Sequence, residues 1–567
     1  MRFKILLLWA ILFSAIGIVN AQNYLCFTAL TDNSSVGIRE KERDVPNLEY
    51  SLDEGASWTP ITSGSVELPS AGDKIYFRGN NPAGIFNTVA DYTNFTVTGQ
   101  VAASGSVMSL IDGEGTSLEI PYEKCFYGLF DGCEGLVQAP ELPATTLAPS
   151  CYKNMFYGCG IKEAPELPAT ELEEYCYESM FAECASLTKA PVLSAKTMEY
   201  RCYAIMFSGC TSLVQAPELP ATTLAAECYL MMFERCAIVR SPKLSCTTLA
   251  DLCYNYMFHE CTSLTTPPEL PATELTRRCY CGMFQGCSSL TQAPELPATQ
   301  VIEECYFSMF SKCTELIEAP VLKAQVMDSG CYREMFSGCT NLTKAPELPA
   351  TTLDDYCYFG MFRDCKSLEK APYLPATELV ASCYSNMFSG CENINYIKVE
   401  CESLEKAGIS PTYNWVKGID QKGTFVFPCG STFNKRGNSA VPTNFDIVNN
   451  PIAIFMTADS VVLTRDTIPC GTTPQFKGIT PKKQGNDRYV YQFKGWDPPL
   501  KVLTHSDTFV FVASYDSLAL CDTTIHSCYS YSINGKNIMK SSEWTDTTSS
   551  SRNAPNSTLY EFFCSEQ

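Results

Sequence analysis

The residues of this sequence best suited to chemistry are its 31 cysteines, which stand beside only three histidines. Thiolates attack electrophiles, bind soft metals and pair as disulfides. Most of these cysteines fall into two series in which the second cysteine follows the first by eight residues. The pair recurs eleven times between Cys125 and Cys391, at intervals of 25 or 26 residues. Such repetition is typical of a structural side chain, because a catalytic thiol occupies a singular site.

The neighbours of these thiols limit the chemistry further. Zinc sites place about two to four residues between paired cysteines, whereas seven residues separate the pair here. The histidines, His259, His505 and His526, belong to no nucleophile, metalloprotease or phosphate-binding motif. Carboxylates are abundant, so a glycosidase-type pair stays open on composition alone. We predict no catalytic residue, no metal site, no cofactor and therefore no enzyme.

The unit that carries the cysteines reads C-Y-x-x-M-F-x-G-C-x-S-L-x-x-A-P-E-L-P-A-T-x-L-x-x-x in its clearest copies. Self-similarity at such a period predicts a solenoid, in which each coil buries its apolar side against its neighbours. In the copy that begins at Cys202, apolar residues recur at four-residue steps, which predicts a short helix of about two turns. The Leu-x-x-Ala segment before the repeated proline is expected to be a short parallel strand, since proline donates no backbone hydrogen bond.

Whether the two thiols of one coil can form a disulfide depends on that helix. Cys202 and Cys210 would lie about 12 Å apart along its axis, beyond the Cα separation of about 7 Å that a disulfide allows. We therefore predict a structural ladder in which Cys202, Met206, Phe207 and Cys210 are buried and the thiols pack as small apolar groups. Disulfides between neighbouring coils are the alternative.

The motif M-F-x-G-C-x-S-L, as at residues 206–213, resembles the BspA-like leucine-rich repeats of bacterial surface proteins of the Bacteroidales type. This resemblance implies a repeat solenoid, leucine-rich-repeat-like, of short parallel strands plus short helices, flanked here by β-rich modules. A second segment, with Cys470 and residues 489–496, resembles the internalin-type B-repeat, a small β-module of surface proteins. Members of the BspA-like family are described as surface, adhesion or interaction proteins, so the resemblance implies binding rather than catalysis.

The sequence divides into six predicted parts. Basic residues, an apolar stretch and a small-residue cleavage site at the N-terminus are typical of a secretory signal peptide. The parts are a signal peptide (1–21), an N-terminal β-sandwich-like module (22–118), the eleven-repeat solenoid (119–400), a C-terminal cap of the array (401–450), the B-repeat-like β-module (451–520) and a polar tail (521–567). We expect the mature chain to be exported to the bacterial cell surface or beyond, without inserting into a membrane.

The net charge of the chain limits the kinds of partner that it can bind. The formal net charge of −21 argues against nucleic acid, because phosphate contacts require Lys and Arg. The residue after the repeated proline is a glutamate in six coils and Val192, Lys243, Val321 or Tyr373 in four others. Stacked coils would align the glutamates as a solvated edge, or as a binding surface for a basic protein or Ca²⁺. They are Glu141, Glu166, Glu218, Glu269, Glu295 and Glu347.

Two functions fit these features. The first is adhesion or protein–protein interaction through the repeats, with a host or microbial surface protein as partner, because a solenoid offers a large surface of variable positions on a fixed frame. The alternative is a glycan-binding component of a saccharide-scavenging surface system. Its site would lie in the N-terminal module, where Trp58, Tyr76 and Phe77 are candidate rings for stacking on sugars.

Overall fold

The computed structural model describes residues 23–39, 47–61, 64–82, 84–85, 93–406, 410–486, 488–506, 508–519, 528–533 and 536–541. The chain divides into two units. The first runs to Phe427 and includes Thr432–Ile447, and the second contains Pro428–Ser431 and the chain from Val448 onward. The predicted signal peptide and most of the predicted polar tail lie outside the described residues. In the part of the chain that the structure describes, no helix is long and apolar enough to cross a membrane.

Ahead of the repeats the chain forms two sheets and one short helix, α1 (Ser109–Asp112). The strands are β1 (Leu25–Ala29), β2 (Ser34–Ile38), β3 (Leu48–Ser51), β4 (Thr59–Pro60), β5 (Gly64–Leu68), β6 (Lys74–Gly79), β7 (Phe95–Thr98), β8 (Val101–Ser104) and β9 (Leu136–Gln138). One sheet has the order β4-β3-β6-β1-β8-β9 and the other β5-β2-β7. Because β9 belongs to the first repeat and pairs in parallel with β8, the repeats continue the first sheet directly.

The predicted helices of the repeats are wrong. In the coil that begins at Cys202, the N–H groups of Met206 and Cys210 donate to carbonyls three residues back, as in successive tight turns. The N–H groups that alternate with these donate to the next coil instead, as from Tyr203 to the carbonyl of Cys228 (3.1 Å) and from Phe207 to that of Met232 (3.0 Å). Turns of four residues bring the same apolar side chains to one side as a helix does, so the hydrophobic pattern did not distinguish them. An isolated helix of two turns would also leave most of its terminal N–H and C=O groups without partners.

Each ten-residue segment from the residue before the first cysteine to the second cysteine, such as 201–210, is called here a turn segment. Every fourth residue of a turn segment has a left-handed backbone: φ is 52° at Arg201, 60° at Ile205 and 77° at Gly209. This conformation turns alternate N–H groups out of the coil, toward the carbonyls of the next one. Glycine adopts it without steric cost, and the many other residue types found there are held in it by the ladder between coils.

The remaining part of each coil, called here the extended segment, carries the predicted parallel strands in reduced form. Single parallel bridges join equivalent residues of neighbouring coils, as in the series Gln215, Arg240 and Thr266. A proline lies two residues after Gln215 and two residues after Arg240. Because proline has no N–H group to donate, the ladder of parallel hydrogen bonds cannot extend further.

Stacked rings fill the interior of the array. Phenylalanines of consecutive turn segments, from Phe130 to Phe388, stack with centroids 5.3–5.9 Å apart. A parallel column of tyrosines begins at Tyr152 and ends at Tyr384, at 5.8–6.1 Å. Phe95 of β7 lies 5.5 Å before the first of these phenylalanines. At the other end Trp415 contacts both columns.

After the last coil the chain forms a sheet with the order β10-β11-β12. Its strands are β10 (Tyr396–Lys398), β11 (Gly423–Val426) and β12 (Phe445–Val448). Trp415 is fully buried, and its indole N–H donates to the carbonyl of Ala440 (2.7 Å). The buried residues from Leu25 to Phe445 form one continuous core.

The second unit has its own sheet, with the order β14-β13-β16-β15. The strands are β13 (Ile452–Met456), β14 (Val462–Thr467), β15 (Tyr489–Asp497) and β16 (Thr508–Ala519), followed by the hairpin of β17 (Cys528–Ile533) and β18 (Lys536–Ser541). The alternating apolar residues at 489–493 predicted a strand, and β15 confirms it. Phe455 and Phe511 lie at the centre of this sheet's small core.

Replacing Gly286 by alanine should weaken the array. Its φ is +79°, and a Cβ atom there would come within 3.1 Å of Cγ of Glu260 in the preceding coil. A left-handed residue with a side chain costs about 1–2 kcal/mol, so the urea midpoint should fall. Gln285→Ala, at the neighbouring position, should leave the midpoint nearly unchanged. Equal midpoints for Gly286→Ala and the wild type would contradict this account of the turns.

Candidate functional site

Side chains of each extended segment divide between the core and solvent. In the coil that begins at Cys202, Leu213 and Leu219 are buried, whereas Val214 and Glu218 are exposed. The exposed residues of the extended segments are called here the outer face, which in this coil comprises Thr211, Val214, Gln215, Glu218, Pro220, Thr222 and Thr223. Because equivalent residues of neighbouring coils pair by parallel bridges, the same positions recur side by side along the array.

The predicted column of glutamates lies on the outer face. All six members are exposed: Glu141, Glu166, Glu218, Glu269, Glu295 and Glu347. The four residues that interrupt the column are exposed as well, and Tyr373 donates a hydrogen bond to Glu400 (2.7 Å). The column is therefore a mixed edge in which carboxylates are separated by a cation, an aromatic ring and two valines.

Exposed aliphatic side chains occur singly on the outer face of other coils, as at Val192 and Val214, but one coil carries three. In the coil that begins at Cys305, three aliphatic side chains of the outer face are exposed: Ile317 (52%), Val321 (70%) and Val326 (64%). These three residues are called here the apolar band. Equivalent positions of the two neighbouring coils carry only exposed polar residues: Thr291, Glu295 and Gln300 before the band, and Thr343, Glu347 and Thr352 after it. The band was not predicted from the sequence. Its signal there is that one copy of the repeat has aliphatic residues at three positions where the neighbouring copies have threonine, glutamate or glutamine.

The periodic cysteines, the leucines of the extended segments and the coil-to-coil pairing together describe a leucine-rich-repeat-like array. Residues 231–368 and 280–409 match the BspA type leucine-rich repeat region, in six copies. Residues 231–409, which these matches span, are therefore similar to BspA-like leucine-rich repeats. No curated protein matches the chain significantly.

In the coil that begins at Cys202, the four residues predicted to form the ladder, Cys202, Met206, Phe207 and Cys210, are fully buried. The second cysteine of each coil has a contact that its size alone did not suggest. The Cys210 thiol donates a hydrogen bond to the carbonyl of Phe181 in the preceding coil (3.1 Å). The second cysteine of every coil donates in this way at 2.9–3.2 Å, and in the first coil the acceptor is the carbonyl of Phe95 in β7. A buried thiol here acts as a small apolar group that also links two coils.

The described cysteines of the repeats are free thiols, and the disulfide of the described chain joins Cys429 to Cys470. Burial raises the pKa of Cys184 and of Cys261 to about 12, because a thiolate would lose its hydration in the core. Burial likewise raises the pKa of the stacked Tyr203 well above its usual value. These thiols are therefore protonated and poor nucleophiles at neutral pH.

The candidate sugar-stacking residues of the N-terminal module do not form one platform. Phe77 is fully buried in the core, so its prediction as a binding residue is wrong. Along β6 the side chains alternate, and Tyr76 points to the other face, where burial raises its pKa to about 12. Trp58 lies against the edge of Tyr24 (4.8 Å between centroids), and the guanidinium of Arg78 covers its ring at 4.2 Å.

The histidine in the repeats is part of a small polar network. Glu234 accepts a hydrogen bond from Ser208 (2.9 Å) and contacts Nδ1 of His259 (3.0 Å). Both side chains contact the carboxylate, so the histidine is not placed to accept the serine proton, and the three do not form a nucleophile–base pair. His505 contacts Thr504, while His526 lies outside the described residues. Among the described side chains no His, Cys, Asp or Glu cluster suited to a metal ion occurs.

Raising the pH should unfold the array in a narrow range. The folded thiols have raised pKa values, while unfolded thiols ionise near pH 8.5. Above that pH the folded state binds more protons than the unfolded state, so its stability falls as pH rises. The array should be fully stable at pH 7 and lose stability between about pH 9 and pH 12. Ionisation of the buried thiols and loss of circular dichroism should appear together. Thiolate absorbance near pH 8.5 in a folded chain, beyond what Cys521, Cys528 and Cys564 can supply, would contradict buried thiols in the repeats.

Proposed function

We propose that this chain is a non-catalytic surface or secreted protein whose repeat solenoid binds a protein partner through the outer face. The observation that carries the proposal is the apolar band, three exposed aliphatic side chains on one coil with a polar border on both sides. Single exposed aliphatic residues are ordinary. Here three occur on one coil between two coils that are polar at the same positions, with exposed Glu318, Lys323 and Gln325 among them along the chain, and protein-binding sites combine apolar and polar side chains in this way. The BspA-like repeats support the same reading, because stacked coils present variable residues on a constant frame.

The border of the band suggests the charge of the partner. Glu295 and Glu347 occupy the same position as Val321 in the two neighbouring coils, and both are exposed. A partner whose apolar side chains contact the band would place its own border beside these carboxylates. A basic protein surface fits that arrangement, and the overall charge of −21 would also steer such a partner toward the chain.

The proposed setting is the surface of a bacterium of the Bacteroidales type or its surroundings, with a protein of a host or another microbe as partner. The glycan-binding alternative has weaker support, because Phe77 is inside the core and a guanidinium covers one face of Trp58. A cell-surface role would require export, for which the N-terminal sequence of the chain is the basis.

Changing one side chain of the apolar band should weaken capture of the partner. The full mature chain is immobilised and exposed to a mucosal extract, and bound proteins are identified by mass spectrometry. Val321→Ser should weaken the main saturable ligand about fivefold to tenfold, because it removes one aliphatic side chain from the contact. Val192→Ser is the matched control, since Val192 occupies the same position of another coil, is 78% exposed and has exposed threonines on its own coil.

Equal losses for Val321→Ser and Val192→Ser, or no loss for either, would overturn the apolar band as the binding site. Capture of carbohydrate in place of protein, unaffected by Val321→Ser, would favour the glycan-binding alternative. Point variants are preferred to truncations because the N-terminal module and the repeats share one core.

Neutralising the two flanking carboxylates tests the charge of the partner. Glu295→Gln combined with Glu347→Gln should weaken binding about twofold to fivefold per residue and reduce its dependence on salt concentration. Glu114→Gln, an exposed glutamate of the N-terminal module, is the control. An unchanged salt dependence would contradict a basic partner surface.

A further inference from the structure

The side of the array formed by the turn segments carries several arginines, and most of them are paired with carboxylates. Arg201 contacts Glu178 (2.7 Å) and Glu227 (2.6 Å). Arg235 contacts Glu183 across an intervening coil (2.5 Å). Such pairing is expected in a chain with 62 acidic residues, because a partly buried guanidinium needs a partner for its charge.

Arg333 is different. Among the described residues its side chain has no hydrogen bond and no ion pair, and its Nε atom is buried without a partner. Three aromatic rings surround its guanidinium carbon, with ring centroids at 5.3 Å for Phe307, 5.1 Å for Phe359 and 5.9 Å for Tyr356. Ring faces attract a cation and hold it in place, but they leave its N–H donors without acceptors.

The glutamates nearest in the repeat pattern are committed elsewhere. Glu304, in the preceding coil, pairs with Arg278, and Glu334, the next residue, pairs with Arg363 (3.2 Å). Only Nε of the Arg333 guanidinium is both buried and unpaired, so the two terminal nitrogens are not fully buried. The side chain is thereby fixed by the rings, while the part of it that binds a carboxylate is open.

We propose that Arg333, with Phe307, Tyr356 and Phe359, is a binding site for a carboxylate of a peptide segment in a protein partner. The planar guanidinium donates two parallel N–H bonds to a carboxylate, and charge-assisted bonds of this kind are strong. Because the rings already hold the side chain, little conformational freedom is lost when the carboxylate binds. Tyrosine and arginine are also among the residue types that contribute most to protein interfaces.

A peptide fits this cluster better than an acidic sugar. Sugars bind aromatic residues by stacking on ring faces, and here the ring faces toward Arg333 are covered by the guanidinium. A peptide carboxylate needs only the terminal nitrogens, and Tyr356, which is 43% exposed, would be available to the side chains next to that carboxylate. The site lies on the turn segments, apart from the outer face, so it is independent of the apolar band.

The test uses the full mature chain labelled with ¹⁵N-arginine. The probe is acetyl-Tyr-Glu-Tyr-amide, with acetyl-Tyr-Gln-Tyr-amide as its neutral counterpart and sialyllactose as an acidic sugar. The Nε–Hε signal of Arg333 is assigned by its loss in Arg333→Met, which keeps an apolar stem between the rings. The acidic peptide should move this signal saturably, and the neutral peptide should not.

Arg333→Met should weaken binding of the acidic peptide about tenfold to a hundredfold, as expected for the loss of a charge-assisted bond. Arg333→Lys, which keeps the charge but not the planar donor pair, should lose about tenfold and serves if the methionine variant does not fold. Arg240→Met, at an exposed arginine of the outer face without an ion pair in the described chain, should change nothing. Val321→Ser should also leave peptide binding unchanged, which separates this site from the apolar band.

Three results would overturn the proposal. The Arg333 signal would stay in place with the acidic peptide, or both peptides would move it equally, or binding would be the same in Arg333→Met and the wild type. A shift caused by sialyllactose and not by the acidic peptide would assign the cluster to an acidic glycan instead.

Discussion

The structure depends on one constraint, which is that every second N–H group of a turn segment must meet a carbonyl of the next coil. In the coil that begins at Cys202, five such bonds leave the turn segment, from Arg201, Tyr203, Ile205, Phe207 and Gly209. Buried backbone groups need partners, so the position of each coil is set by the one before it. The columns of rings, the thiol contacts and the regular outer face are consequences of that register.

The same constraint explains how the array ends. A coil without a neighbour would expose five donors or acceptors and one face of each ring column. At the start, Phe95 of β7 supplies both a ring and an N–H bond to the carbonyl of Leu129 (2.8 Å). At the finish, the carbonyl of Trp415 accepts the N–H of Phe388 (2.7 Å) while its ring covers the last phenylalanine and tyrosine. Phe95 and Trp415 therefore complete the array at its two ends.

Much of this was accessible from the sequence, because a repeated pattern of apolar residues reports burial whatever the backbone does. The burial of Cys202 and Phe207, the exposure of the glutamates and the strand at β15 follow from such patterns. The backbone of the turn segments was not accessible. A period of four fits a helix and a series of turns equally well. A glycine in the sequence indicates that a left-handed backbone is allowed, whereas an isoleucine such as Ile205 gives no such indication.

Two errors or omissions at the candidate sites have different causes. Phe77 alternates with Tyr76 along one strand, and that alternation would have placed it inside, so this error was avoidable. The guanidinium of Arg333 has no carboxylate partner because the neighbouring glutamates are paired with other arginines. That pairing depends on side-chain geometry across several coils. No pattern within a single repeat contains this information.

The alternation of N–H groups also determines where the chain tolerates a change in length. In a turn segment, N–H groups that donate to the next coil alternate with N–H groups that close turns within the same coil. Removing one residue would interchange these two sets for the rest of the segment. In the two coils that span 25 residues, the missing residue lies immediately after the second cysteine, where Gly160-Ile161 and Ala237-Ile238 replace three residues of the other copies. At that point the ladder has already been completed, and Ile161 and Ile238 are fully buried as the leucine would be. Single-residue deletions are absorbed at this junction, whereas anywhere in the preceding ten residues the array could change only by the gain or loss of whole coils.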